Sequence, residues 1–482
     1  MSLISNAKWN AFSQLFKMVV QVVNLVYLAK IIPPAEYGLM AMAVVITNFG
    51  ILLRDLGTSA AIIQYKELTE NLKNTIFWLN FILGFSLAIV IILLAPIISS
   101  LYHQPKLTSV LVLLSIIFPL SSSAATHLAL MERESKFKLI SIIEVSSSLT
   151  SVIVAVIFAN LGFGVYSLVA QAIVINFMSA LQFWKVSKWM PSRRVFIRLA
   201  DIKLIFGFSA NLSLFNLINY FSRNLDSFII GKYMSATILG SYNLAYRIML
   251  FPLQSLTFVA SRSLYPILSK DQEHNDKIKT TYYNCVFVIL LITAPLMSGI
   301  ALYSKPFILL VFGPQWYITA DVLKWLAPTA IIQSVLSISG AVFMAKGKTD
   351  VLMRLGVIGT TLQVGAFLAG VHFSINTFAL FYLIANILNF FPVMYFLLKL
   401  ISGDFLSFFR QINPIIISTC GMIFLLKMID HFVLNINNIK NFWWLAILSI
   451  IGVCIYFSFM MLLSFQFRTV IFTKLKYKAI KK

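Results

Sequence analysis

The amino-acid sequence predicts an all-α integral membrane protein with about 14 transmembrane helices, arranged as two pseudo-symmetric six-helix lobes plus two C-terminal helices. Three observations lead there. Of 482 residues, 60% are hydrophobic and only 11% charged, less than half the charged share of a soluble domain. Apolar stretches near the ~20 residues needed to cross hydrocarbon follow one another with short polar loops between them. Basic residues collect in alternate loops.

Taken in order, the expected spans are Trp9 to Ile31, Tyr37 to Ile63, Thr75 to Ser99, Leu107 to Leu130, Leu139 to Asn160 and Val165 to Trp184. A basic linker follows. Six more run from Leu204 to Ile230, Leu239 to Ala260, Tyr282 to Tyr303, Ala320 to Met344, Val351 to Gly370 and Thr377 to Leu400, and two from Pro414 to His431 and Phe442 to Phe465. This divides the chain into an N-lobe at 1–190, a C-lobe at 191–411, and a final pair with a basic tail at 412–482. Pro119, Pro295 and Pro328 are expected to kink their helices, which membrane helices tolerate. Cys285, Cys420 and Cys454 lie in apolar stretches without metal or redox spacing and read as small core residues. The first span lacks the marks of a cleaved signal.

The net charge of +22 would suggest nucleic acid in a soluble protein. Its placement argues otherwise. With the N-terminus inside, 27 basic residues fall in one set of connections and tails and 5 in the opposite set. That bias is the positive-inside pattern, and a miscounted span would scramble it. Both termini are therefore expected in the cytoplasm, and the excess charge serves topology and attraction to anionic lipid rather than nucleic acid.

A shift of 202 residues sets Ala29-Lys30 against Gly231-Lys232, Gly38 against Gly240 and Ala43 against Ala245. In the first span Gln14, Lys17, Gln21 and Asn24 follow helical spacing and share one face. Their counterparts are Asn216, Asn219, Arg223 and Asp226. An even number of spans separates the two stripes, so the repeat is parallel.

Six basic residues fall inside spans: Lys17, Arg54, Arg223, Arg247, Lys324 and Lys427. At about 3 kcal/mol each, lipid exposure of all six would cost on the order of 18 kcal/mol, so most must face protein or water. Two readings stand side by side. In one, these are structural ion pairs, Arg54 with neighbouring Asp55 and Arg223 with Asp226 on one helical face. In the other, Lys17, Arg223, Arg247 and Arg54 line an aqueous cavity that takes an anionic substrate, Lys17 being available because its own helix carries no acid. Tyr242, Asn243, Tyr246 and Gln254 would add donors and rings suited to sugars. Asp55, Glu144 and Asp226 are candidates to carry a coupling proton or sodium ion.

Gly347-Lys348-Thr349 lacks the preceding glycine of a phosphate-binding loop and ends a span. No catalytic or metal-binding string occurs, so neither catalytic residues nor a metal or other cofactor is expected.

The strings LAKIIPPAEYGLMAMA from Leu28, RDLGTSAAIIQ from Arg54, TIFWLN from Thr75, GFGVYSLVAQ from Gly162, NLDSFIIGKYM from Asn224, LGSYNLAYR from Leu239 and FGPQW from Phe312 carry a family likeness. Together they resemble the Wzx-type polysaccharide repeat-unit flippases of the multidrug/oligosaccharidyl-lipid/polysaccharide exporter superfamily. Pro33-Pro34 stands where a Gly-Pro is common, and Tyr166 where Trp is common. The resemblance implies a non-enzymatic transporter of the bacterial inner membrane. Such a protein moves an undecaprenyl-pyrophosphate-linked oligosaccharide from inner to outer leaflet by alternating access, for exopolysaccharide, O-antigen or lipopolysaccharide synthesis. Other polysaccharide-assembly proteins would be its partners. A peptidoglycan-precursor flippase or multidrug exporter of the same superfamily is the nearest alternative, and a membrane glycosyltransferase or polymerase the alternative from another class.

Overall fold

The computed structural model describes residues 3–55, 62–63, 68–198, 202, 220–221, 224–270, 272–432 and 442–469, and these are helices and their connections with no strand among them. The chain divides into two compact units, Met1–Gly240 and Ser241–Lys482. Eleven helices among the described residues are long and apolar enough to cross a membrane.

The helices of the first unit are α1 (Leu3–Ile31), α2 (Pro34–Asp55), α3 (Glu70–Leu101), α4 (Lys106–Ser115), α5 (Ile117–Arg133), α6 (Phe137–Asn160), α7 (Val165–Ser187) and the turns of α8 at 224–233. α3 shows how sequence sets an element. Thr69 caps it by accepting from the Leu72 amide at 3.2 Å, and acidic Glu70 sits in the first turn, complementing the positive end of the helix dipole. Its 32 residues rise about 48 Å, more than the roughly 30 Å of hydrocarbon. The surplus suits a helix that opens with Glu70, Asn71, Lys73 and Asn74.

At one of the three prolines expected to kink a helix, the helix is interrupted. The fourth span is interrupted at Ile116, between α4 and α5, because Pro119 has no N–H to offer the Ser115 carbonyl. Helix assignment continues through Pro295 and Pro328. A tight turn joins α6 to α7, with Gly162 at φ +83° and Gly164 at φ +54°, values that favour glycine.

The second unit contains most of α9 (Ala236–Lys270), then α10 (Asn275–Leu302), α11 (Ser304–Val311), a 3₁₀ turn at Pro314–Trp316, α12 (Tyr317–Ala345), α13 (Thr349–Gly370), α14 (Ile375–Leu400), α15 (Phe405–Phe432) and α16 (Phe442–Leu463). Its core joins α10, α12, α14, α15 and α16 through Val286, Ile338, Met394, Ile415, Leu448 and Met460. The last two helices therefore share a core with α10, α12 and α14.

Both units reverse the usual distribution of side chains. Leu93 is 69% exposed and Trp443 72%, whereas Ser122, Thr126, Ser147, Ser151 and Ser334 are fully buried. Lipid lets apolar side chains face outward as well as inward, and small polar residues let helices approach closely. Some of the buried hydroxyls turn back on the helix: Ser151 Oγ donates to Ser148 O at 2.7 Å, Ser334 Oγ to Ile331 O at 2.7 Å and Thr293 Oγ1 to Ile289 O at 2.9 Å. The cysteines follow the same rule. All three are free, and Cys420 and Cys454 are exposed instead of packed in the core, correcting the expectation from sequence.

The repeated glycines meet. A methyl group on Gly38 would overlap the carbonyl of Ala236, and one on Gly240 would overlap the carbonyl of Pro34 and lie 2.9 Å from Gly38 N. Ala236 is the repeat counterpart of Pro34. Each glycine thus packs on the residue four places before the other, the exchange of partners that a two-fold relation requires.

Candidate functional site

The polar stripe of α1 meets α6 and α7 within the first unit. Lys17 Nζ lies 2.5 Å from Glu144 Oε2 on α6, the two side chains being 17% and 38% exposed. Asn24, 8% exposed, donates from Nδ2 to Gln171 Oε1 on α7 at 3.3 Å, and its Oδ1 has no donor. One to two turns on, Asn160 Nδ2 donates to Tyr27 Oη at 3.0 Å. Gln14 and Gln21 are exposed.

The availability of Lys17 is thereby corrected. Its own helix carries no acid, as expected, yet a carboxylate arrives from a segment 127 residues away. Two opposite charges held together avoid the cost either would incur alone in hydrocarbon. Glu132, at the end of α5, lies within electrostatic reach of Glu144. A lysine and two carboxylates thus gather on three helices.

Arg54 also finds a partner other than its sequence neighbour. It is 8% exposed, and Nη1 donates to Ser121 Oγ on α5 at 2.5 Å. The side chain of Asp55 lies outside the described residues, as do Asn216, Asn219 and Arg223. Asp226 is buried, with Oδ1 accepting from the Ser227 amide at 2.6 Å.

On α9, Arg247 is exposed and Asn243 and Tyr246 are half-buried. Tyr242 is fully buried, its ring 5.9 Å from that of Tyr246 and 5.8 Å from that of Phe378. In this conformation Tyr242 is packed between those rings. The side chain of Gln254 lies outside the described residues.

Beside the stripe, Val19, Val20, Val23, Asn24 and Tyr27 of α1 form with Val152 and Val156 of α6 a groove of about 330 Å³. It is almost wholly apolar, with the Asn24 amide at its edge. Sequence reading singled out neither Gln171 nor Ser121 as a partner. Gln171 ends the string GFGVYSLVAQ and Ser121 opens a run of three serines, but neither position tells which helix it faces. No cluster of metal-binding side chains occurs among the described residues.

Glu36 at the start of α2 accepts from Lys106 Nζ at 2.7 Å and from the Val165 amide at 2.9 Å. It thereby ties the beginnings of α2, α4 and α7 together through the positive end of α7.

A polytopic helical chain with a charge pair between its helices and apolar surface facing outward is a multi-span membrane protein. This chain belongs to the family described as polysaccharide biosynthesis protein, which matches residues 27–321. It is 28% identical over 413 residues to the lipopolysaccharide biosynthesis protein WzxC of Escherichia coli strain K12, covering 86% of this chain and 81% of that one. The teichuronic acid biosynthesis protein TuaB of Bacillus subtilis strain 168 is 27% identical, with 87% of each chain covered. Among solved structures, the lipid II flippase MurJ in an inward-closed conformation superposes with a TM-score of 0.76 at 16% identity, covering 96% of this chain and 99% of that one. The last likeness shows the fold.

Proposed function

We propose that this protein is a flippase for surface-polysaccharide synthesis, moving a polyprenyl-pyrophosphate-linked oligosaccharide between membrane leaflets by alternating access. The observation that carries the reading is the near full-length match to polysaccharide biosynthesis proteins in a chain with a transporter fold. Transport of this kind makes and breaks no covalent bond, consistent with the lack of any catalytic string in the sequence. The membrane is the bacterial cytoplasmic one, crossed fourteen times with both termini in the cytoplasm. The charge tally of 27 against 5 supports that topology.

In this reading the Lys17–Glu144 pair is the resting state of an anion site. A pyrophosphate is a multivalent acceptor and competes with one carboxylate for the ammonium. Arg54 and Arg223 add charge, and Gln14, Gln21, Asn24, Asn216 and Asn219 offer hydrogen bonds. The valine-lined groove suits a hydrocarbon tail. Tyr242, Asn243, Tyr246, Arg247 and Gln254 on α9 are further contacts for sugar and charge. Glu144 released from Lys17 would be free to take a proton or sodium ion, as would Asp55 and Asp226, and that exchange would couple transport to an ion gradient.

Deletion of the gene followed by mass spectrometry of accumulated lipid-linked sugars tests the assignment and names the substrate. Accumulation of a polyprenyl-pyrophosphate oligosaccharide is expected. An unchanged lipid-linked pool with normal surface polymer would overturn it. Arg223→Ala is expected to abolish polymer output at normal protein level.

A further inference from the structure

After α7 ends, Lys188 adopts the left-handed conformation at φ +59° and the chain runs without helix to Arg198. This strap is bound along the first turns of α3 mainly through its own backbone. The Ser192 amide donates to Asn74 Oδ1 at 2.6 Å, Trp78 Nε1 donates to Ser192 O at 3.2 Å, and the Arg198 amide donates to Thr75 Oγ1 at 3.3 Å. Trp189 Nε1 adds a bond to Glu70 Oε2 at 3.1 Å. Because the backbone makes the attachment, the side chains are left outward.

Between residues 185 and 198 those side chains include Lys185, Lys188, Arg193, Arg194 and Arg198, and no acid. All five are exposed, and none forms an ion pair among the described residues. The nearest carboxylate on α3, Glu70, is already engaged by Lys73 at 2.7 Å and by Trp189. Interleaved with the cations are exposed apolar residues, Met190 at 69% and Val195 at 61%. Trp78, Trp184 and Trp189 lie along the same segment, the residue type that collects at membrane–water interfaces.

We propose that this strap is a docking site for the headgroups of anionic phospholipid, holding the α3–α7 end of the first unit to the membrane surface. A water-soluble acidic partner would use the cations and leave Met190 and Val195 wet. A lipid surface satisfies both, the phosphates taking the guanidinium and ammonium groups and the acyl boundary taking the apolar side chains. Four cations strung along an extended segment, with Lys185 in the last turn of α7, fit several headgroups in a row better than one pyrophosphate.

The purified full chain, titrated with phosphatidylglycerol or phosphatidylcholine and read by native mass spectrometry, tests this. The variant K188Q/R193Q/R194Q/R198Q is compared with K348Q/R354Q/K399Q/R410Q, which removes four exposed cations elsewhere on the basic side. The strap variant is expected to bind phosphatidylglycerol at least ~10-fold more weakly with phosphatidylcholine unchanged, and the comparison variant to lose less than ~2-fold. An equal loss in both variants would reduce the site to general surface charge and overturn the proposal. So would no loss in either, or a loss confined to added undecaprenyl pyrophosphate. Should the four-fold variant fail to fold, M190S/V195S keeps every charge. It is expected to lose phosphatidylglycerol binding selectively in about 0.5 M salt, where screening leaves the apolar contribution; unchanged binding there would also count against the strap.

Discussion

At the scale of single residues, the Lys17–Glu144 pair is the feature whose chemistry is most open to test. Neither side chain is fully buried, and in the aqueous transport cavity proposed above, breaking the pair costs about 1 kcal/mol. Loss of function should therefore exceed loss of stability. Lys17→Met and Glu144→Gln are each expected to insert at near-normal levels and to lower polymer output at least ~10-fold. The exchange K17E/E144K is expected to restore protein level but not transport, because it moves the cation from α1 to α6. Complementation of a deletion strain, with protein quantified by immunoblot, separates these outcomes. Equal output from wild type and both single variants would remove the pair from the site.

The ends of helices give a different kind of prediction. Asp404 precedes α15, and Oδ2 accepts from the Ser407 amide at 2.8 Å. That backbone bond, then the Ser407 hydroxyl, hold its carboxyl below the usual aspartate range. A lowered folded-state value means the stabilisation is present above the unfolded aspartate range and lost as pH falls through the lowered value. Asp404→Ala should accordingly melt at a lower temperature than wild type at neutral pH, and the gap should close in acid. Thermal unfolding followed across pH reads this directly. The contact of α2 with the first turn of α9 is more sensitive. Gly38→Ala or Gly240→Ala forces a methyl into a backbone carbonyl, an overpacking that costs about 1–3 kcal/mol. Gly365→Ala on α13 meets nothing within 4 Å and should be neutral or gain up to ~1 kcal/mol from helix propensity. Detergent-solubilised yield and melting temperature distinguish the two classes.

For the whole molecule, topology is the quantity to measure. Single cysteines placed beside Lys305 and beside Lys348, on a background with Cys285, Cys420 and Cys454 replaced, should react with impermeant thiol reagents on opposite sides of the membrane. Labelling of both from one side would break the alternation that fourteen spans require. The helical plan was readable in advance because hydrocarbon imposes it locally: every backbone polar group in lipid must bond within its own segment, so length and hydropathy mark each helix without reference to the others. The 3.6-residue period likewise brings Gln14, Lys17, Gln21 and Asn24 to one face, and it does so whatever they touch. Contacts between helices carry no such local mark. Glu144, Gln171 and Ser121 reach their partners across 67 to 147 residues of chain, and only packing decides that Lys17 is neutralised, that Arg54 reaches Ser121 on a distant helix, and that Tyr242 is enclosed by rings. The sequence by itself therefore determined the membrane, the helices and the stripe, while tertiary structure alone decided which charges are already paired, because pairing depends on which faces of distant helices come within a few ångströms.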